Sequence, residues 1–344
     1  MKIQKLSTTQ LDDLPVEVLL NVLNYLELPD LNLFGQVSKR LKSVTLVESL
    51  WQRILLVNKT VSINQVENIL YQGCKTLCLK SCRLTDATYL HSTFDQPLLG
   101  NQIKAKEATP SSQLINLDLY QCEFTDGFLE TLMSSTHSLN RFSLTDHNIC
   151  MFSYDILLAF YSQNGQTLQT LNLAFTAVVN FRHVELIVKN CTGLKEVDFS
   201  HCNLSDASIH LLVNGITKNI EKFGLSNCCS GCAKSDRIVK ILVSRCNKIK
   251  SLNLAGNYIT NNSLTSIAKY LTNSLEELDI GRCNNITDTE LLVFEMSSMP
   301  KLKFLNYFMP YNSKYEDLKK NLPQLTNKDP KVTWPKRIIK MFVG

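Results

Sequence analysis

Apolar residues along this chain fall into two frames. From about Lys75 they alternate over short runs, as in Leu77-Cys78-Leu79 and Leu117-Asp118-Leu119, which predicts strands with one face turned inward. Each run is followed by apolar residues at three- and four-residue steps, such as Ile209, Leu212 and Ile216, or Leu264, Ile267 and Leu271, which predicts a helix. The strand-helix pair recurs. Its markers are Leu117, Phe142, Leu171, Val197, Phe223, Leu252, Leu278 and Leu305, at nearly even steps that leave room for one strand and one helix per unit. The unit reads L-x-x-L-x-L-x-x-C-x-L-(S/T)-D. Its Cys or Asn, at Cys82, Cys122, Cys202, Cys228, Asn257 and Cys283, is small enough to turn inward and bond backbone groups of neighbouring turns. Thr85, Thr125, Ser205, Thr260 and Thr287 then stand where the helix starts, as N-caps. One unit cannot bury its own apolar face, so the units must stack into one elongated array.

The first fifty residues follow a helical frame instead. Asp12 and Asp13 precede Pro15, which suits the first turn of a helix. Val18, Leu19, Val22, Leu23 and Leu26 recur at helical steps. Pro29-Asp30 starts a second short helix with Leu31, Leu33, Phe34 and Val37. A segment this short with this much apolar surface cannot bury all of it alone. From the residues alone, the segment is either a cap for the array or a docking module.

Two places break the repeat. The step from Leu77 to Leu117 is longer than any of the others, and the excess, 91–113, is loop-like, with Pro97, Gly100 and Pro110. It is read either as a ligand-contacting loop or as a disordered insertion. After Leu325 the chain carries Lys328, Lys331, Lys336, Arg337 and Lys340 among Val332, Trp334, Ile338 and Ile339. This stretch, 326–344, is read as a cap for the open end or as a basic tail for an acidic partner or nucleic acid.

Composition narrows the class. The chain has 344 residues, 44% hydrophobic and 19% charged, ordinary for a globular protein, and a net charge of +5 that demands no nucleic-acid partner. No apolar run is long enough to span a membrane. No basic start and apolar core mark a signal peptide, so the twelve cysteines are expected as reduced thiols in the cytoplasm and/or nucleus. Chemistry-bearing constellations are sparse. Cys229 and Cys232 form a C-x-x-C without the second pair or spaced histidines of a zinc site. The six histidines are scattered, and neither a nucleophile-base signature nor a glycine-rich phosphate loop is present. No metal, cofactor or catalytic residue is expected.

The N-terminal residues carry a resemblance. Leu14-Pro15, Glu17 two positions on, Val18, Leu19, Val22, Leu23, Tyr25-Leu26, Leu31, Val37 and a closing Leu50-Trp51 resemble the F-box, in the same order. Leu41 departs from the pattern, where the family has an aromatic. The repeat resembles the cysteine-containing leucine-rich repeats that follow an F-box. The implied fold is α/β: a leucine-rich-repeat solenoid, a curved parallel sheet with outer helices, preceded by a small three-helix F-box. Its segments are a tail (1–8), the F-box (9–54), about nine repeats (55–325) and the C-terminal stretch.

The resemblance also implies a function. The chain would be the substrate-recognition subunit of an SCF-type ubiquitin ligase, non-catalytic itself and acting by proximity. The family's F-box packs on a Skp-type adaptor and, through it, on cullin and RING subunits. The adaptor residues carried over are Leu14, Pro15, Val18, Leu19, Leu23, Leu26, Leu31, Val37, Leu50 and Trp51. Some of these fill the F-box core, and the sequence does not sort them. An unidentified protein substrate would lie on the outward strand positions of the concave face. These are Asn116, Asp118, Tyr120, Arg141, Thr145, Glu196, Asp198, His201, Glu277, Asp279, Arg282 and Phe308, along a face on the order of 40 Å long. The alternative is a scaffold of the same architecture that binds a partner without promoting its degradation.

Overall fold

The structure, a computed structural model, describes residues 11–26, 28–85, 113–145, 154–176, 179–228 and 235–307. The insertion 91–112, Phe308 and the C-terminal stretch lie outside the described residues, as do Cys229 and Cys232. The chain divides into two compact units, Met1–Leu139 and Asn140–Gly344.

The first unit opens with three helices, α1 (Val16–Leu23), α2 (Leu28–Val37) and α3 (Lys39–Thr45). Pro15 is extended (φ −55°, ψ 148°) and sits one residue ahead of α1, where its carbonyl accepts from Leu19 N. Ser38 caps α3 by accepting from Leu41 N, and its hydroxyl donates to Asp12 Oδ1 at 2.9 Å. That bond ties the segment ahead of α1 to the start of α3. Leu41 is buried in the position where the family has an aromatic.

Strands follow at once: β1 (Arg53–Val57), β2 (Thr60–Ser62), α4 (Ile63–Tyr71), β3 (Thr76–Lys80), β4 (Arg83–Thr85), β5 (Asn116–Tyr120), β6 (Glu123–Phe124) and α5 (Asp126–Ser135). β1, β3 and β5 pair in parallel, Ile54 beside Leu77 beside Leu117. The array thus begins one strand ahead of Lys75. Ile54 and Leu56 alternate inward there, a signal too short to separate from the preceding helices. β2, β4 and β6 form a second, small parallel sheet.

The second unit runs β7 (Arg141–Thr145), α6 (Tyr154–Asn164), β8 (Thr170–Asn172), α7 (Phe181–Asn190), β9 (Glu196–Asp198), α8 (Asp206–Gly215), β10 (Lys222–Gly224), α9 (Ser235–Arg245), β11 (Ser251–Asn253), α10 (Asn261–Leu271), β12 (Glu277–Asp279), α11 (Thr289–Ser297) and β13 (Phe304–Asn306). The strands pair in parallel in chain order from β7 to β13. The register aligns the marker residues Phe142, Leu171, Val197, Phe223, Leu252, Leu278 and Leu305, all of them buried. The strands are added in one direction with a helix between each pair, so right-handed crossovers put the helices on one sheet face and leave the other open.

Among the described residues, interior donors of successive repeats reach back to the previous turn. Cys122 Sγ donates to Leu79 O (3.3 Å), Cys202 Sγ to Leu173 O (2.9 Å), Cys228 Sγ to Phe199 O (2.7 Å) and Cys283 Sγ to Leu254 O (3.2 Å). Thr176 Oγ1 does this to Leu144 O at 2.8 Å, and Asn257 Nδ2 to Leu225 O at 2.7 Å. Burial pushes the Cys202 and Cys283 thiols up to about 12, which keeps each proton on sulfur for donation. Thr125, Ser205 and Thr260 cap α5, α8 and α10 as expected. At α11 the cap is Asp288 rather than Thr287: its carboxylate accepts from Leu291 N at 2.9 Å, a charge-assisted bond at a helix N-terminus.

Candidate protein-interaction site

The N-terminal helices sort their apolar residues into two faces. Leu19 and Leu23, one helical turn apart on α1, are fully buried, and Leu31, Leu50 and Trp51 join them in the core. Trp51 Nε1 donates to Thr45 O at 2.8 Å, so its one polar atom is also satisfied internally. These five residues are corrected from adaptor contacts to core residues. Leu14 and Leu26 are half-buried and Pro15 is exposed.

A second set stays outside. Val18 and Val22, also one turn apart, are 42% and 47% exposed, and Val16 is 38% exposed. Tyr25 follows at 90%, and on α2 Leu33 and Val37 are 51% and 72% exposed. Val16, Val22, Tyr25 and Leu33 were not among the expected contacts. The signal was in the sequence: α1 carries two apolar i, i+4 pairs one position apart, wider than a single core stripe requires. So many exposed apolar side chains on so short a segment mark a protein-interaction surface.

The open face of the repeats behaves differently from expectation. In the row two residues into each strand, Asp118 and Asp198 are buried, and Asp279 is half-buried. Asp198 Oδ1 accepts from Ser200 N at 2.8 Å; Asn172, Asn253 and Asp279 make the same bond to Ala174, Ala255 and Gly281. These side chains close the turn after the strand. Burial raises the Asp198 and Asp279 carboxyls above the usual range. Gly224 has no side chain for this bond, and Ser226 N donates instead to Ser200 Oγ at 3.1 Å. A Cβ on Gly224 would stand 2.2 Å from Asp198 Oδ1, so the missing side chain is what admits the carboxylate.

Asp118, Asp198 and Thr145 are therefore corrected from surface contacts to buried residues, since the strands stand too close for short side chains to leave the face. Longer ones do leave it, and they pair along the sheet. Glu196 meets Lys222 at 2.6 Å, Glu277 accepts from Ser251 at 2.8 Å, Asn116 donates to Thr76 at 3.0 Å, and Lys80 lies 5.5 Å above the Tyr120 ring. Arg141 is half-buried at the start of β7.

The exposed part of the face is its rim. After β1, β3 and β5 in the first unit and β8 to β12 in the second, the chain turns through a left-handed residue: Asn58, Ser81 and Gln121, then Phe175, His201, Asn227, Gly256 and Arg282. A non-glycine residue there carries a steric cost of about 1 kcal/mol, so the turn is held by the stacking around it. Phe175 and His201 stack at 4.0 Å and 11°, and Asn227 Nδ2 lies 3.3 Å from His201 Nε2. Burial and the positive charge of Arg282 hold His201 below its usual range. The rim thus offers a neutral imidazole on an aromatic platform, an amide and a guanidinium. His201 and Arg282 were expected on this surface; Phe175 was missed, and its signal was its place in the repeat, equivalent to His201. Among the described residues no group of three His, Cys, Asp or Glu could hold a metal.

Parallel strands stacked in register, helices between them and interior thiols or amides bonded to the previous turn, among the described residues, define a leucine-rich-repeat protein, here with a three-helix N-terminal module that keeps apolar side chains outside. Residues 94–333 match the family described as the SKP2 LRR domain, and residues 11–57 match the one described as F-box-like. The chain belongs to the F-box and leucine-rich-repeat family. Among solved structures, an internalin (inlF) from Listeria monocytogenes is 18% identical, with 86% of this chain and 78% of that chain covered at a TM-score of 0.48. The leucine-rich repeat-containing protein LegL7 from Legionella pneumophila is 18% identical, with 62% and 73% covered at 0.42. The fold assignment rests on the strand register and the family match.

Proposed function

We propose that the chain is the substrate-recognition subunit of a Skp–cullin–F-box ubiquitin ligase. What supports this most is the exposed apolar row Val18 and Val22 on α1, with Val16, Tyr25, Leu33 and Val37 exposed as well, while the core is already filled by Leu19, Leu23, Leu31 and Trp51. A row of this kind needs a partner with a complementary apolar face, and the F-box match supplies the expectation of a Skp-type adaptor, linked in turn to cullin and RING subunits. The repeats then hold a protein substrate on the open face, with the Phe175–His201–Asn227–Arg282 rim as its most accessible polar and aromatic part. The chain works by proximity and carries out no bond chemistry.

Expression of the tagged chain tests this. The wild type is expected to co-purify adaptor and cullin, and a Val22→Asp/Tyr25→Asp variant to lose both. Depleting the chain should then lengthen the half-life of a protein captured by the rim. Retained capture with an unchanged half-life would leave the scaffold role in its place.

A further inference from the structure

The edge of the second unit's sheet where the strands begin carries its own charge pattern. One residue ahead of the strands, in register, stand Lys195, Glu221, Lys250, Glu276 and Lys303. Backbone bonds fix this row: Lys250 N donates to Glu221 O and Glu276 N to Lys250 O, each at 2.7 Å. Adjacent side chains are therefore about 4.8 Å apart, and alternating sign is the arrangement that avoids repulsion. Lys250 pairs with Glu221 and Lys303 with Glu276, both at 2.7 Å.

Lysines outnumber the glutamates on this edge. Lys195, Lys218, Lys248, Lys269 and Lys301 are exposed, and among the described residues none has a carboxylate within 4 Å; the Lys248 ammonium donates to the neutral Asn219 Oδ1 at 2.9 Å. A groove of about 510 Å³ opens beside three of them, Lys248, Lys269 and Lys301. Lys248, Lys250, Lys269 and Lys301 line it, against only Glu221 and Glu276, each of which already has its lysine. The amides of Asn247 and Asn273 add hydrogen-bonding groups to the wall. None of these residues belongs to the F-box row or to the rim.

We propose that this groove docks an acidic segment of a partner protein, whose Asp and Glu carboxylates meet the surplus ammonium groups. Charge complementarity selects the sign, and the alternation selects the polymer. A nucleic acid presents evenly spaced phosphates and bases that need stacking platforms. Here Glu221 and Glu276 interrupt the cations, and Tyr270 has Lys269 over its ring at 5.4 Å. A peptide can place carboxylates at the lysines and neutral residues opposite the glutamates. The groove's size admits a few residues of extended chain. The inference stands apart from the ligase reading, because its test is direct binding.

The test is fluorescence anisotropy of the full chain with a labelled octaglutamate peptide, at about 50 mM and about 150 mM salt. The Lys248→Gln/Lys301→Gln variant should bind about tenfold more weakly. Lys189→Gln, on the outer helix α7, should bind as wild type does, and added salt should weaken all complexes. All variants should melt as wild type does, since the substituted side chains are exposed. Absence of wild-type binding at low salt, or equal weakening by Lys189→Gln, would overturn the proposal. Tighter binding of a labelled oligo-dT, with the same loss in the double variant, would overturn it in favour of a nucleic acid.

Discussion

Asp198 shows what a single position in this fold can and cannot do. Its carboxylate closes the turn by accepting from Ser200 N and fills the space over Gly224. Asparagine does the same work at 172 and 253, so Asp198→Asn should change the unfolding free energy by less than about 0.5 kcal/mol. Asp198→Ala should cost about 1–3 kcal/mol, because Ser200 N–H loses its acceptor. Urea titration separates them, and equal losses would contradict the turn role. Glu196→Lys is the informative surface reversal: its pair with Lys222 is about one-third exposed and contributes at most about 1 kcal/mol. It should weaken substrate capture and leave adaptor binding intact.

His183 carries a pH dependence. It is buried between α6 and α7 with Nε2 2.8 Å from the Tyr161 hydroxyl, and burial pulls it down to about 4. The unfolded imidazole titrates near 6.5. Between these values the unfolded state binds the proton and the folded state does not, so this stability is present above about pH 6.5 and lost as pH falls toward 4. Going from pH 7.5 to 5 should cost about 2 kcal/mol from this residue. His183→Gln, which can still take the tyrosine hydroxyl, should lose that part of the slope. Identical slopes in the two proteins would show that His183 is not its source.

At the scale of elements, the thiol rungs set the stacking. Cys202→Ala should cost about 2 kcal/mol, from the unpaired carbonyl of Leu173 and the small cavity left behind. Cys202→Ser keeps a donor, as Thr176 does at the same position, and should cost less. Equal melting temperatures for the two variants would mean that the rung works by packing alone. These elements were legible in the sequence because the pattern repeats many times: strand markers, interior thiols and the caps Thr125, Ser205 and Thr260 stand in register along it. The misses have physical causes. β1 had no repeat ahead of it to reveal its register. Thr287 lost the α11 cap to Asp288, a charged acceptor one residue on. The open-face aspartates were read as exposed by strand alternation, which gives direction but not depth.

For the whole molecule, the sequence named the family but could not divide the F-box apolar residues between core and surface. That division needs the helices' rotation, which puts Val18 and Val22 outside and Leu19 and Leu23 inside. It also makes the central claim testable without confusing binding with folding. The measurement is the affinity of the purified full chain for a purified Skp-type adaptor, by titration calorimetry with a melting curve for each variant. Wild type should bind. Val18→Asp/Val37→Asp should lose about 2–4 kcal/mol of binding at an unchanged melting temperature, while Leu19→Ala should lower the melting temperature itself. A wild type that does not bind, or a surface variant that binds as well as wild type, would contradict the account.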